Sequence, residues 1–177
     1  MLYTDDCLVV SDNAEAILRK EIGKSFKLKE KSIGDPGQYL GGKLRKVSLE
    51  NGVDCWAFSS TQYVQDAVNN VEQYLKKKGE KLVAKLPAPF KNNYRPKVDV
   101  SKKLNEDEAS YYHSLIGVLR WIVGLGRVDI NTKVLMMSSH LALPRVGHLE
   151  AVFRIFSHLM KKHNSEMMYD LTEVDID

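Results

Sequence analysis

Two adjacent carboxylates, Asp5 and Asp6, follow Tyr3-Thr4 between short apolar runs at Met1–Tyr3 and Leu8–Val10. Like charges side by side on a tight turn repel, so the arrangement costs stability unless a cation neutralises them. Hard divalent ions such as Mg²⁺ or Mn²⁺ bind carboxylate oxygens and keep coordination positions open for phosphates. Two such ions activate an attacking oxygen and stabilise the leaving one in phosphoryl transfer. The same residues also suit an ordinary solvated turn, because aspartate is a common turn former. A metal site and a plain turn are both open on these four residues alone.

The remaining reactive side chains form no recognisable constellation. His113, His140, His148, His158 and His163 show no HExxH spacing and no cysteine partner, so core or surface roles are expected. Cys7 and Cys55 make no CxxC pair, which fits a reducing compartment. Gly124 and Gly126 are too sparse for a nucleotide loop, and Ser138 and Ser139 lack a nucleophile-elbow context. Trp56 and Trp121 read as core residues, with base stacking as the other use for them. Met136, Met137, Met167 and Met168 read as core filler.

The elements that would position these groups follow an α+β order. The runs around Thr4–Cys7 predict a β-hairpin with acids at its tip. Asp12 with Glu15 resembles a capping box for a helix through about Phe26, with Ala16, Ile17, Ile22 and Phe26 as its apolar positions. Asp35-Pro36-Gly37 is a turn, Gln38 to Leu49 a strand, Asn51-Gly52 a hairpin turn and Val53 to Phe58 the return strand. From Ser59 the period changes. Ser59 and Gln62 suggest a second capping box, and Val64, Ala67, Val68, Val71 and Leu75 recur at helical spacing. Gly79 should end that helix after Lys76, Lys77 and Lys78. A long connection holding three prolines runs over 80–104. Tyr112, Leu115, Ile116, Leu119, Ile122 and Val123 mark a third helix. Asp129 should cap a fourth, through about Leu143 before Pro144. Leu149, Val152, Phe153, Phe156 and Leu159 mark a fifth, and Glu166 to Leu171 reads as a strand.

The 177 residues, 44% of them hydrophobic, can bury roughly two-thirds of their unfolded surface, so no disulfide framework is needed. The longest uncharged run of note, Val134 to Pro144, is too short to span a bilayer, and acids in MLYTDD do not suit a signal peptide. Collagen, coiled-coil, secreted mini-protein and membrane classes are excluded. The formal charge of +3 hides an asymmetry: residues 59–103 hold 10 basic and 4 acidic groups, whereas 164–177 hold 5 acids and no base. A basic middle of this kind suits a polyanion partner, although each lysine also suits an ordinary solvated face.

Taken in order, the motifs resemble the copia-type reverse transcriptase of long-terminal-repeat retrotransposons. Met1-Leu2-Tyr3-Thr4-Asp5-Asp6-Cys7-Leu8-Val9-Val10 is similar to the family's Tyr-x-Asp-Asp hairpin, with Thr4 where valine is usual. Phe26-Lys27-Leu28-Lys29 resembles Phe-x-Met-Lys, and Tyr39-Leu40-Gly41-Gly42 its Leu-Gly strand. Ser60-Thr61-Gln62-Tyr63-Val64 resembles its Ser-Gln-x-x-Tyr helix start with altered spacing. Tyr112 to Leu119 looks like Tyr-x-x-x-Ile-Gly-x-Leu, and Arg127-Val128-Asp129-Ile130 like Arg-Pro-Asp-Ile. His148-Leu149-Glu150-Ala151 and Arg154 resemble the last helix. The resemblance runs over about residues 1–163.

It implies the following expectations. Residues 1–58 would be the end of the polymerase palm, 59–163 a helical thumb-like region, and 164–177 an acidic tether toward an RNase H domain. Asp5 and Asp6 would hold two Mg²⁺ (or Mn²⁺) ions for nucleotide addition, Asp5 being the stricter ligand, and Tyr3 would lie against the nucleotide or primer end. Residues 38–58, with Leu40, Gly41 and Gly42, would grip the primer. The helix from Ser59 to Lys78 would track an RNA/DNA template–primer through Gln62, Lys76, Lys77 and Lys78, with Lys81, Lys85 and Lys91 as further phosphate contacts. A third catalytic carboxylate, the fingers and the RNase H domain would lie outside this sequence, so the chain alone would not polymerise. A non-catalytic nucleic-acid-binding module and an inactive relic are the alternatives. The expected location is intracellular: cytoplasm, virus-like particle or nucleus.

Overall fold

The structure, a computed structural model, describes residues 2–3, 6–84, 86, 88–90 and 94–169. It is an α+β fold in which a four-stranded antiparallel sheet adjoins a bundle of helices. Strands β1 (Leu2–Tyr3) and β2 (Asp6–Cys7) make a separate two-stranded sheet with Tyr3 opposite Asp6. The expected hairpin is present, but its return strand is Asp6–Cys7 rather than Leu8–Val10. Pairing Tyr3 with Asp6 leaves only two residues between the strands, so Asp6 belongs to the ladder and not to the tip.

The next expected helix is broken into short pieces: α1 (Ala14–Ala16), a π-helical stretch (Ile17–Ile22) and α2 (Gly23–Ser25). The Asp12–Glu15 capping box does not form. Asn13 occupies the N-cap position without a side-chain bond, and Glu15 pairs with Arg19 at 2.7 Å. Ala16, Ile17 and Ile22 are only half-buried and Phe26 is exposed.

The expected single strand from Gln38 to Leu49 is itself a hairpin. β3 (Gln38–Tyr39) and β4 (Gly42–Ser48) are joined by Leu40-Gly41, with φ of 51° and 85°. Two consecutive positive φ values are the signature of the tight hairpin turn whose twist matches its strands. β4 then turns at Asn51-Gly52 into β5 (Asp54–Ser59), as the sequence predicts, with Gly52 at φ 81°. β6 (Glu166–Tyr169) returns from the far end of the chain to complete the order β3-β4-β5-β6. The residues expected to tether a further domain therefore begin as the edge strand of this sheet, and Arg45 holds Glu166 at 2.5 Å across it.

The helical half follows its apolar periods closely. α3 (Thr61–Lys77) buries Val64, Ala67, Val68, Val71 and Leu75. Its start differs from expectation, because Ser60 is the N-cap and Ser59 Oγ instead accepts from Thr61 N–H at 3.3 Å. Its end is a Schellman motif, with Glu80 N–H on Leu75 O, Gly79 N–H on Lys76 O, and Gly79 at φ 73°. α4 (Glu106–Gly124) starts on a true capping box of Asn105 and Glu108 and buries Tyr112, Leu115, Ile116, Leu119 and Ile122. α5 (Asn131–Ser138) stops five residues before the expected Leu143. The hydroxyls of Ser138 and Ser139 there bond back to Val134 O and Met136 O, which competes with continuing the ladder. α6 (Val146–Lys161) buries Leu149, Val152, Phe156 and Leu159 as predicted. These faces meet in one core that also takes Leu82 and Phe90 from the long connection. Each buried Leu, Ile, Val or Phe contributes about 1.5–3 kcal/mol relative to exposure, so this core dominates the stability. Trp56 and Trp121 are half-buried rather than core, and Met168 is half exposed, whereas Met137 is fully buried. No helix among the described residues is long and apolar enough to cross a membrane.

Candidate nucleic-acid interface

The strands of the Tyr-x-Asp-Asp segment are placed, but Asp5 lies outside the described residues, as do Lys85 and Lys91. Tyr3 and Asp6 are cross-strand partners in the β1–β2 ladder, which shares no ladder with the larger sheet. Among the described residues no group of three or more His, Cys, Asp or Glu side chains is arranged to hold a metal ion.

The second group of expected residues is brought together. The Leu40-Gly41-Gly42 turn reaches the first turn of α3, where the Cβ position of Gly41 is 3.7 Å from the Tyr63 ring. Gln62, the neighbour of Tyr63, is exposed at the start of α3 and donates to Asp66 at 3.1 Å. A Cβ on Gly42 would overlap the Phe58 ring, which closes this corner from the β5 side. Leu40 is half-buried in the left-handed region, where a leucine costs about 1–2 kcal/mol. Strain of that size persists only where the surroundings over-determine it, and it marks the turn as a candidate contact point. Replacing Leu40 by asparagine, which tolerates this backbone, is expected to stabilise the chain by about 1 kcal/mol. Its melting temperature should rise by about 2–4 °C. A fall in melting temperature would show that the leucine side chain holds the turn.

Lys76, Lys77 and Lys78 lie at the opposite end of α3, about 21 Å from Gln62 along the helix axis. They are not equivalent. Lys78 makes an ion pair with Glu108 at 3.4 Å and sits 4.9 Å over the Tyr74 ring. Lys76, Lys77 and Lys81 are exposed. Between the two ends the open face of α3 presents Gln62, Asp66, Asn69, Asn70 and Gln73. Beside it Gln62, Gln65, Asn69, Glu72 and His163 rim a shallow cavity of about 280 Å³ floored by Val68 and Met160. The face therefore offers amide donors and acceptors along its length and free positive charge at its end.

One feature escaped the sequence reading. Arg127 is almost wholly buried, and its Nε and Nη2 donate to Asp129 at 2.9 and 2.8 Å. Asp129 also meets His158 Nε2 at 3.4 Å, so it ties α4's exit to α6 instead of capping α5. Burial pushes its carboxyl up, and the Arg127 bonds and charge with those of His158 more than offset this, leaving it below the ordinary carboxylate value. The only available signal was the Arg-x-Asp spacing, which does not say that the arginine is inside. The other histidines also have protein partners, His113 on Leu141 O and His163 on Met160 O, in keeping with structural roles.

Comparisons with protein-family models, with curated proteins and with solved structures return no match to this chain.

Proposed function

We propose that this chain is the palm-end and thumb part of a copia-type reverse transcriptase, and that it grips an RNA/DNA template–primer. The carrying observation is the Leu40-Gly41 turn, with Leu40 at positive φ, seated against Tyr63 on the first turn of α3, with Gln62 exposed on that same turn and Lys76 and Lys77 exposed at the helix's far end. The ordered series of motifs and the α+β architecture support the same reading. Asp5 and Asp6 would supply two of the carboxylates for Mg²⁺ or Mn²⁺ in the intact polymerase, and the third would come from elsewhere in that protein. The chain alone binds the duplex and does not extend a primer.

The test is fluorescence anisotropy with a labelled RNA–DNA hybrid over a salt series. Binding should weaken steeply as salt rises, because phosphate contacts release counterions. The Lys76→Gln/Lys77→Gln double variant should lower the salt slope by about 2 and weaken binding for every sequence alike. Salt-independent binding, or an unchanged slope in the variant, would remove α3 from the interface. Templated primer extension by the 177-residue chain would overturn the inactive-alone reading. The non-catalytic alternative parts from this one at Asp5→Asn: loss of Mn²⁺ binding favours a retained metal site, and unchanged Mn²⁺ binding favours a module whose acids are idle.

A further inference from the structure

The long connection and α6 enclose a cavity of about 200 Å³. Its wall includes Phe90 and Tyr94 from the connection and Glu150 and Arg154 from α6. Phe90 is buried and Tyr94 half-buried, and their rings meet edge to face with centroids 5.8 Å apart. Tyr94 OH donates to Asp99 at 2.9 Å, and Asp99 also accepts from the Ser101 N–H at 2.9 Å and the Ser101 hydroxyl at 2.5 Å. The Asp99 carboxylate is therefore committed to holding the wall.

Glu150 and Arg154 are uncommitted. They stand four residues apart on α6, the spacing at which a glutamate and an arginine ordinarily pair. No ion pair joins them, and neither side chain has another hydrogen-bonded partner among the described residues. Arg154 is half-buried, and its Nε–H is withdrawn from solvent with nothing to bond to. A withdrawn donor left unpaired is costly, so a partner is expected in the cavity.

We propose that this cavity binds a guanine base. Its volume lies below the roughly 300–1,000 Å³ of sites that hold drug-sized molecules, so it suits a single ring system. The Phe90 and Tyr94 rings supply a flat apolar wall for such a ligand. A guanidinium donates through a planar fork, and a carboxylate accepts through two oxygens. The complementary ligand offers two neighbouring acceptors and two neighbouring donors. Among the bases only guanine offers both, O6 with N7 and N1–H with the 2-amino group. Arginine on guanine O6 and N7 is the commonest base-specific contact, and unstacked bases are ordinarily held against aromatic rings by bonds to their edges. A free guanine nucleotide and an unpaired guanine in a single strand present the same base, and the test separates them. The site shares no residue with the α3 grip, and hybrid binding by the Lys76→Gln/Lys77→Gln variant reports on that grip alone.

The full chain, ¹⁵N-labelled, is titrated with GMP, AMP, CMP and UMP, and the spectrum is read at the Arg154 Nε–H and at the Gly147 and Ala151 amides. GMP should shift all three signals, with a dissociation constant at least about tenfold below that of any other nucleotide. Two analogues assign the contacts: IMP lacks the 2-amino donor, and the 7-deaza form of GMP lacks the N7 acceptor. Each should bind less tightly than GMP. The preference for GMP over IMP should vanish in Glu150→Ala, and the preference over the 7-deaza form in Arg154→Met. Glu150 is exposed, so its variant keeps the fold and decides the matter should Arg154→Met fail to fold. A single-stranded RNA carrying one guanine that binds more tightly than GMP assigns the site to nucleic acid, and one that binds no more tightly assigns it to the free nucleotide. An equal response to all four nucleotides overturns the proposal, as does a preference over IMP that survives in Glu150→Ala. An Arg154 signal that no nucleotide moves also overturns it and leaves water as the partner.

Discussion

Replacing Gly42 by alanine is expected to destabilise the fold by about 3 kcal/mol, at the upper end of what overpacking costs. The glycine is buried at the start of β4, and a Cβ there would overlap three atoms of the Phe58 ring. The Phe58 ring is partly buried on β5, and it has to shift to admit the new methyl group. For a chain of this size the melting temperature should drop by about 6–12 °C. A second substitution identifies the cause. Trimming the ring by Phe58→Leu makes room, so Gly42→Ala should cost much less in that background than alone, and the two changes should be non-additive. A drop of under about 2 °C in the single variant, or simple additivity, would show that the ring moves freely.

Removing the Asp129 carboxylate is the second large change. Arg127 is 1% exposed and holds both Asp129 oxygens, so Asp129→Ala leaves a guanidinium buried with no counter-charge. Breaking a buried pair in this way costs about 3–5 kcal/mol; with Asp129 itself 43% exposed, the low end, near 3, is expected. Replacing both residues, Arg127→Met with Asp129→Ala, should recover much of the loss, because an apolar chain of similar length needs no partner there. Urea unfolding of the three variants measures this, and an equal loss in the single and double variants would contradict it. The pH dependence has a definite sign. The Asp129 carboxyl is held below its ordinary value, so its contribution is full above about pH 4 and is lost as pH falls through the lowered folded value. In Asp129→Asn that acid-side loss should be absent.

How much of the architecture could be read in advance depended on where the deciding contacts lie. The buried faces of α3, α4 and α6 were legible because a helix repeats every 3.6 residues, and an apolar set at that spacing has only one way to hide. The stop at Gly79 and the turn at Asn51-Gly52 were legible because positive φ is cheap for glycine. The turn at Leu40-Gly41 was not legible, since a leucine there violates the same rule and reads as strand. The helix after Asp12 was overestimated because its apolar residues find little to cover them, and periodicity without burial does not sustain a regular helix. Of the candidate site, Leu40, Gly41 and Gly42 form one turn that meets Tyr63 and Phe58, Gln62 lies exposed next to Tyr63 on α3, and Lys78 is committed to Glu108.

The sequence by itself determined the α+β order, the inward faces of the long helices, and the placement of basic residues toward the middle of the chain. These are local properties, set by neighbours within a few positions. Only the tertiary structure decided that β6 closes the sheet, that Arg45 reaches Glu166 over a separation of 121 residues, that Arg127 is internal and that His148 fastens a distant segment to α6. Each of these joins groups far apart in the chain. No local pattern encodes such pairings, because their energy exists only once the core has brought the partners together.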